Sequence, residues 1–267
     1  MDRYAKMFNR LNDAKEGAFV PFVTVGDPDQ ETSISIMQCL IDNGADALEL
    51  GIPYSDPIAD GPTIQHASIR ALSSGATPDT CFDAIAQIRK DNPDMPIGLL
   101  LYSNLVMVKG LESFYQQAAD AGVDSILVAD VPLREAEPFI EVANKTGIKQ
   151  ILIAPPNATD ETFAAIGEKS QGYTYLLGRA GVTGAETAVE IPADELISKL
   201  KQHKVAPPLL GFGISKPQQV KDAIAAGAAG AISGSATVNI IAENLDNKDV
   251  MLKNLGNFVQ EMKAATK

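Results

Sequence analysis

Tryptophan is absent from the 267 residues, and cysteine and histidine occur only twice each, as Cys39, Cys81, His66 and His203. Two cysteines set in helical patterns exclude a disulfide-built scaffold and point to a reducing, cytoplasmic setting. His203 lies in a Lys-Gln-His-Lys run near a helix end and reads as solvated, and His66, on the helical stretch after Asp60, reads as a surface or capping residue. So few imidazoles and thiols do not provide a zinc ligand set. Long apolar runs are missing too: the most apolar one, residues 223–232, is rich in Ala and Gly and too short to span a bilayer. The first residues lack the continuous apolar stretch of a secretory signal. Their Tyr4, Met7, Phe8 and Leu11 fall at helical spacing instead, as in a short amphipathic helix laid on the domain. Positive charge is scarce. With 22 Lys+Arg against 34 Asp+Glu the net charge is −12, which argues against nucleic acid or an anionic membrane as the main partner. A phosphate ligand would have to be held by local dipoles.

What is present is a regular alternation. Short apolar runs at 18–25, 47–51, 97–102, 125–129, 150–154, 173–177, 208–212 and 230–233 read as strands buried on both faces, as in a parallel sheet. Amphipathic stretches at 31–42, 79–90, 111–121, 135–146, 159–168, 193–202 and 217–226 read as the intervening helices. Asn43-Gly44, Ala121-Gly122 and Thr146-Gly147 mark helix ends, and Ser215 before Lys216-Pro217 marks an N-cap. Eight strands alternating with helices over this length favour a (β/α)8 TIM barrel with an extra N-terminal helix and a short extra helix, 236–242, after the eighth strand. A doubly wound open sheet is the alternative. No shift of composition marks a boundary, so residues 1–267 are expected to form a single barrel domain.

Barrel chemistry collects at the C-terminal ends of strands. The second strand carries a carboxylate, Glu49, where apolar character should continue, and the Pro/Gly-punctuated loop after it closes on a second, Asp60. Burying a carboxylate is costly unless it is paired, hydrogen-bonded or protonated, and two carboxyls in different surroundings can serve as acid and base. A strand end and a turn would use the same residues. The seventh and eighth strands end in Gly211-Phe212-Gly213 and Gly234-Ser235, the latter entering the short extra helix; this pair of loops is the frequent phosphate site of barrels. Lys216 stands where a dinucleotide fingerprint would need its third glycine. The Gly-rich stretch 178–187 after the sixth strand reads as a lid. No lysine falls at a strand end, so a Schiff-base mechanism lacks its nucleophile.

The run Glu49-Leu50-Gly51-Ile52-Pro53-Tyr54-Ser55-Asp56-Pro57-Ile58-Ala59-Asp60-Gly61-Pro62 closely resembles the signature of the tryptophan synthase α subunit family. Gly181-Val182-Thr183-Gly184, Gly211-Phe212-Gly213-Ile214 and Gly234-Ser235 match that family in the expected order, and Gly178 stands where many members carry serine. The resemblance covers essentially the whole chain. It implies retro-aldol cleavage of indole-3-glycerol phosphate to indole and glyceraldehyde 3-phosphate. It assigns proton transfer to Glu49, the indole N–H to Asp60, and orientation of Glu49 or of the substrate hydroxyl to Tyr175. It further assigns an apolar wall to Phe22, Leu100, Leu127 and Ile153, the phosphate to Gly184, Gly213, Gly234 and Ser235 with Phe212 in the same turn, and placement of Asp60 to Thr183. It also implies a partner, a pyridoxal-phosphate β subunit receiving indole through a tunnel in an α2β2 complex, met by the loop 53–60 and the surface near Asn104 and Pro132; no cofactor is expected in this chain. The lack of tryptophan suits an enzyme made under tryptophan shortage. Rival readings are another phosphate-binding barrel, such as indole-glycerol phosphate synthase or a phosphosugar isomerase or epimerase, and a non-catalytic regulatory subunit. The synthase would need a strand-end lysine and the epimerases metal ligands.

Overall fold

Every strand pairing is parallel, as continuous apolar runs separated by helices require. The computed structural model describes residues 2–178 and 193–267. Its strands are β1 (Ala18–Thr24), β2 (Leu48–Gly51), β3 (Ile97–Leu101), β4 (Ser125–Val128), β5 (Lys149–Gln150), β6 (Leu152–Ala154), β7 (Thr174–Leu177), β8 (Pro208–Gly211) and β9 (Gly230–Ser233). They lie in the order β5-β4-β3-β2-β1-β9-β8-β7-β6. β5 and β6 are two pieces of the single strand expected at 150–154, interrupted at Ile151. The first piece pairs with β4 and the second with β7, so the ring closes through this bend as a (β/α)8 barrel. The split is a tertiary effect: one short strand must face two neighbours that diverge around the barrel.

The helices are α1 (Arg3–Ala14), α2 (Gln30–Asp42), α3 (Pro62–Ser73), α4 (Pro78–Asp91), α5 (Ser103–Lys109), α6 (Leu111–Asp120), α7 (Glu137–Thr146), α8 (Asp160–Lys169), α9 (Ala193–Gln202), α10 (Pro217–Ala225), α11 (Ser235–Ala242) and α12 (Lys248–Ala264). Neither α5 nor α12 was anticipated, and the helix expected from residue 135 begins two residues later, behind a 3₁₀ turn at Leu133–Glu135. The N-cap assigned to Ser215 is also corrected. The α10 N-cap is Lys216, and the Gln219 side chain folds back to accept from the Ser215 and Lys216 amides at 2.9 Å each. His203 is half-buried with its ring stacked on Phe163, centroids 6.5 Å apart, whereas His66 is exposed as expected.

Strand alternation sorts most of the core into two bodies, with a small third cluster of Phe22, Ile64, Ala67 and Val238. Phe19 and Val23 of β1 and Leu48 and Leu50 of β2 face the helical ring. Ala18, Val20, Leu127, Ile151, Tyr173, Tyr175, Leu209 and Ile232 fill the interior. α1 stoppers that interior from below with Tyr4, Met7, Phe8 and Leu11, all buried in the same cluster. Tyr4 shares a 2.8 Å hydrogen bond with Ser125 and lies 5.4 Å, ring to ring, from Tyr173. Closing the lower end leaves the C-terminal mouth as the open one.

Candidate active site

Glu49 faces inward from β2, in register with Phe22 of β1 and Gly98 of β3, because its apolar neighbours Leu48 and Leu50 claim the outer face. It is only 2% exposed. Burial pushes its carboxyl up to about 7 from the ordinary 4.5, and a hydrogen bond donated by the Tyr173 hydroxyl at 2.9 Å offsets part of that rise. The family resemblance gives Tyr175 the orientation of Glu49 or of the substrate hydroxyl; the hydroxyl bonded to Glu49 is that of Tyr173, two residues earlier on the same inward face of the chain. Burial and the adjacent carboxylate hold the Tyr173 hydroxyl well above its usual range, so it remains a donor at neutral pH.

Above Glu49 opens a cavity of about 240 Å³. Phe22, Leu100, Leu127, Ile153, Tyr175 and Phe212 line it with Glu49, Asp60, Gly234 and Ser235, and Ala59, Ile64, Ala129, Leu177 and Ile232 complete it. The walls are apolar and both carboxyls open into the same space. Asp60, at the end of the loop after β2, is raised to about 6 from 3.8 by burial, with a hydrogen bond from the Tyr102 hydroxyl working the other way. Tyr102 also accepts from the Ala59 amide at 3.1 Å, and its ring lies 5.5 Å from that of Tyr54. Asn104 on α5 donates to the Tyr54 hydroxyl at 2.6 Å. The loop is therefore held by the end of β3 and the start of α5. Two carboxyls poised near neutrality in an apolar cleft are suited to proton transfer.

The far side of the mouth carries the glycine turn after β8 and the start of α11. Gly211 has no room for a side chain, since a Cβ there would stand 2.2 Å from the Tyr175 hydroxyl oxygen. Phe212 follows at φ 69°, a left-handed conformation that costs a non-glycine residue roughly 1–2 kcal/mol, and presents its ring to Tyr175 edge-on at 6.3 Å. Gly213, at φ 78°, completes the turn beside the cavity but is not among its lining residues. α11 starts after Gly234 with no side-chain cap, leaving first-turn amides at the rim available to an anion. Thr183 and Gly184, and the expected lid beyond Gly178, lie outside the described residues. Among the described residues no cluster of metal-ligating side chains occurs.

The model of the tryptophan synthase alpha chain family matches residues 8–267. The chain belongs to the tryptophan synthase alpha chain family. Tryptophan synthase alpha chains of Photobacterium profundum and Vibrio cholerae are 62% and 60% identical over 267 residues, covering the whole of this chain and 99% and 100% of theirs. Among solved structures, tryptophan synthase subunit alpha of Legionella pneumophila superposes with a TM-score of 0.90 at 32% identity, covering 100% of this chain and 98% of that one. A chain of the tryptophan synthase complex of Pyrococcus furiosus gives 0.82 at 35% identity, covering 92% of this chain and 98% of its own.

Two hydroxyls that meet the carboxyls, those of Tyr173 and Tyr102, carry no role in the sequence pattern. Both were visible as tyrosines at the two ends of predicted strands, and the alternation Tyr173, Tyr175, Leu177 puts the first two on one inward face. What the spacing did not carry was which carboxylate each hydroxyl would meet.

Proposed function

We propose that this chain cleaves indole-3-glycerol phosphate to indole and glyceraldehyde 3-phosphate as the α subunit of a tryptophan synthase complex. The observation that carries this reading is Glu49, a carboxyl held near pH 7 at the head of an apolar cavity that also receives Asp60. In the reaction indole C3 gains a proton and the hydroxyl on the attached carbon loses one. The C–C electron pair returns to the ring, and the carbinol carbon becomes the aldehyde. Glu49 shuttles that proton, and a group half-ionised near neutrality can both give and take it. Asp60 accepts from the indole N–H and stabilises the positive charge that the ring acquires when C3 is protonated. Phe22, Leu100, Leu127 and Ile153 sandwich the indole. Tyr175 borders the substrate hydroxyl, and Tyr173 keeps Glu49 oriented. The glycine turn 211–213 with Phe212, Gly234, Ser235 and the α11 amides hold the phosphate, joined by Gly184, while Thr183 steadies Asp60.

The partner is the β subunit, which carries the pyridoxal phosphate; among the described residues no lysine lines this cavity to hold it. The loop–helix face bears Ile58 at 76%, Met107 at 58% and Val108 at 90% exposure, an apolar patch beside Asn104 that suits docking. The α2β2 assembly and the cytoplasmic location follow from the same reading. Incubation of the purified chain with indole-3-glycerol phosphate, with and without the β subunit, tests it by indole release. No release in either condition would leave only a regulatory role.

A further inference from the structure

Thr24 is the last inward-facing residue of β1 and 2% exposed, yet its hydroxyl oxygen has no hydrogen-bond partner among the described residues. A buried hydroxyl left unmade is destabilising, and valine would fill the same space without that penalty. Its surroundings show what it faces. Thr24 pairs in register with Gly51, the residue from which the loop to Asp60 departs, and its oxygen lies 3.7 Å from where a Cβ on Gly51 would stand. Over the end of β1 lies α3, the helix that Asp60 and Gly61 lead into. Ile64 and Ala67 of α3 pack in one cluster with Phe22, and Arg70 is clamped bidentately to Asp27 just beyond Thr24, at 2.7 and 2.8 Å. The C-terminal half of α3 is thus tied down at the β1 end. Asp60, just ahead of its N-terminus, is held by Tyr102 from the β3 side.

We infer that Thr24 is a positioning residue for Asp60: its hydroxyl is kept free to donate to the Asp60 carboxylate from the β1 side when the loop comes down on bound substrate. Asp60 then has a hydroxyl on each flank, Tyr102 and Thr24, which fixes its carboxylate against the indole N–H. This assignment rests on the cleavage reading above. It also accounts for a buried hydroxyl that no described residue bonds.

The test compares Thr24→Val, which keeps shape and removes the hydroxyl, with Thr24→Ser, which keeps the hydroxyl. Indole release and urea denaturation are measured on the full chain with its β subunit. Thr24→Val is expected to lower kcat about tenfold, equivalent to about 1.4 kcal/mol, with KM little changed. Its unfolding midpoint is expected to be equal to or above that of the wild type, and Thr24→Ser to retain most of the rate. In an Asp60→Asn background, Thr24→Val should add no further loss in single-turnover indole release. A fully active Thr24→Val, or an equal loss in the Asp60→Asn background, overturns the assignment. So does a loss of stability in Thr24→Val that accompanies the loss of rate and that Thr24→Ser shares, because packing would then explain both. A wild type that releases no indole removes the cleavage reading and this assignment together, whereas an active wild type with a fully active Thr24→Val removes the assignment alone.

Discussion

Replacing Glu49 by glutamine should make the protein more stable and less active, and the stability gain should depend on pH in a defined direction. The Glu49 carboxyl titrates near 4.5 in an unfolded chain and near 7 in the fold. Between those values the native state binds more protons than the unfolded one, so this group's contribution to stability falls as pH rises. It is fully present below about pH 4.5 and fully lost above about pH 7. The displacement corresponds to about 3 kcal/mol, most of which is crossed between pH 5 and pH 8. Glutamine has the same shape, keeps an oxygen to accept the Tyr173 hydroxyl, and carries no charge to desolvate. The stability difference between variant and wild type should therefore grow by about 2–3 kcal/mol over that range, a shift of about 1 M in the urea midpoint. The other carboxylates are common to both proteins and cancel from the difference. Indole release should meanwhile fall by at least about 100-fold, since an amide cannot shuttle the proton. A stability difference that is the same at pH 5 and pH 8 would refute the claim that burial holds Glu49 near neutrality.

Further outcomes are expected elsewhere in the site. Tyr173→Phe removes the donor that lowers the Glu49 pKa, so the pH–rate profile of indole release should move to higher pH; an unmoved profile would mean the bond is not retained during turnover. Asp60→Asn should reduce kcat by about 10²- to 10³-fold, as removal of a charge-stabilising group does, while steady-state KM changes little. Gly211→Ala drives a methyl into the Tyr175 hydroxyl and should destabilise the fold by about 1–3 kcal/mol, read as a lowered thermal midpoint. Val108→Glu should leave the isolated chain's melting temperature unchanged while weakening β-subunit binding in a titration followed by calorimetry.

The alternation of eight apolar runs with helices, which favours a barrel over an open sheet, and the address of the two carboxylates follow from the sequence by itself, because each rests on local pattern. Continuous apolar runs separated by amphipathic stretches permit few parallel topologies, and a carboxylate inside such a run is conspicuous whatever surrounds it. The glycines of the turn after β8 were legible for the same reason, since the crowded site of Gly211 and the left-handed one of Gly213 both select glycine, whereas the left-handed Phe212 between them carries no such mark. The tertiary structure decided what depends on distance along the chain. Tyr173 meets Glu49 across 124 residues, and nothing local distinguishes it from Tyr175. The bend at Ile151 exists because one strand must reach two neighbours, and α1 became a stopper because the lower mouth of the barrel needed apolar side chains. The pKa of Glu49 belongs to this class as well. It comes from desolvation by residues drawn from most of the barrel, and only closure of the ring brings them together.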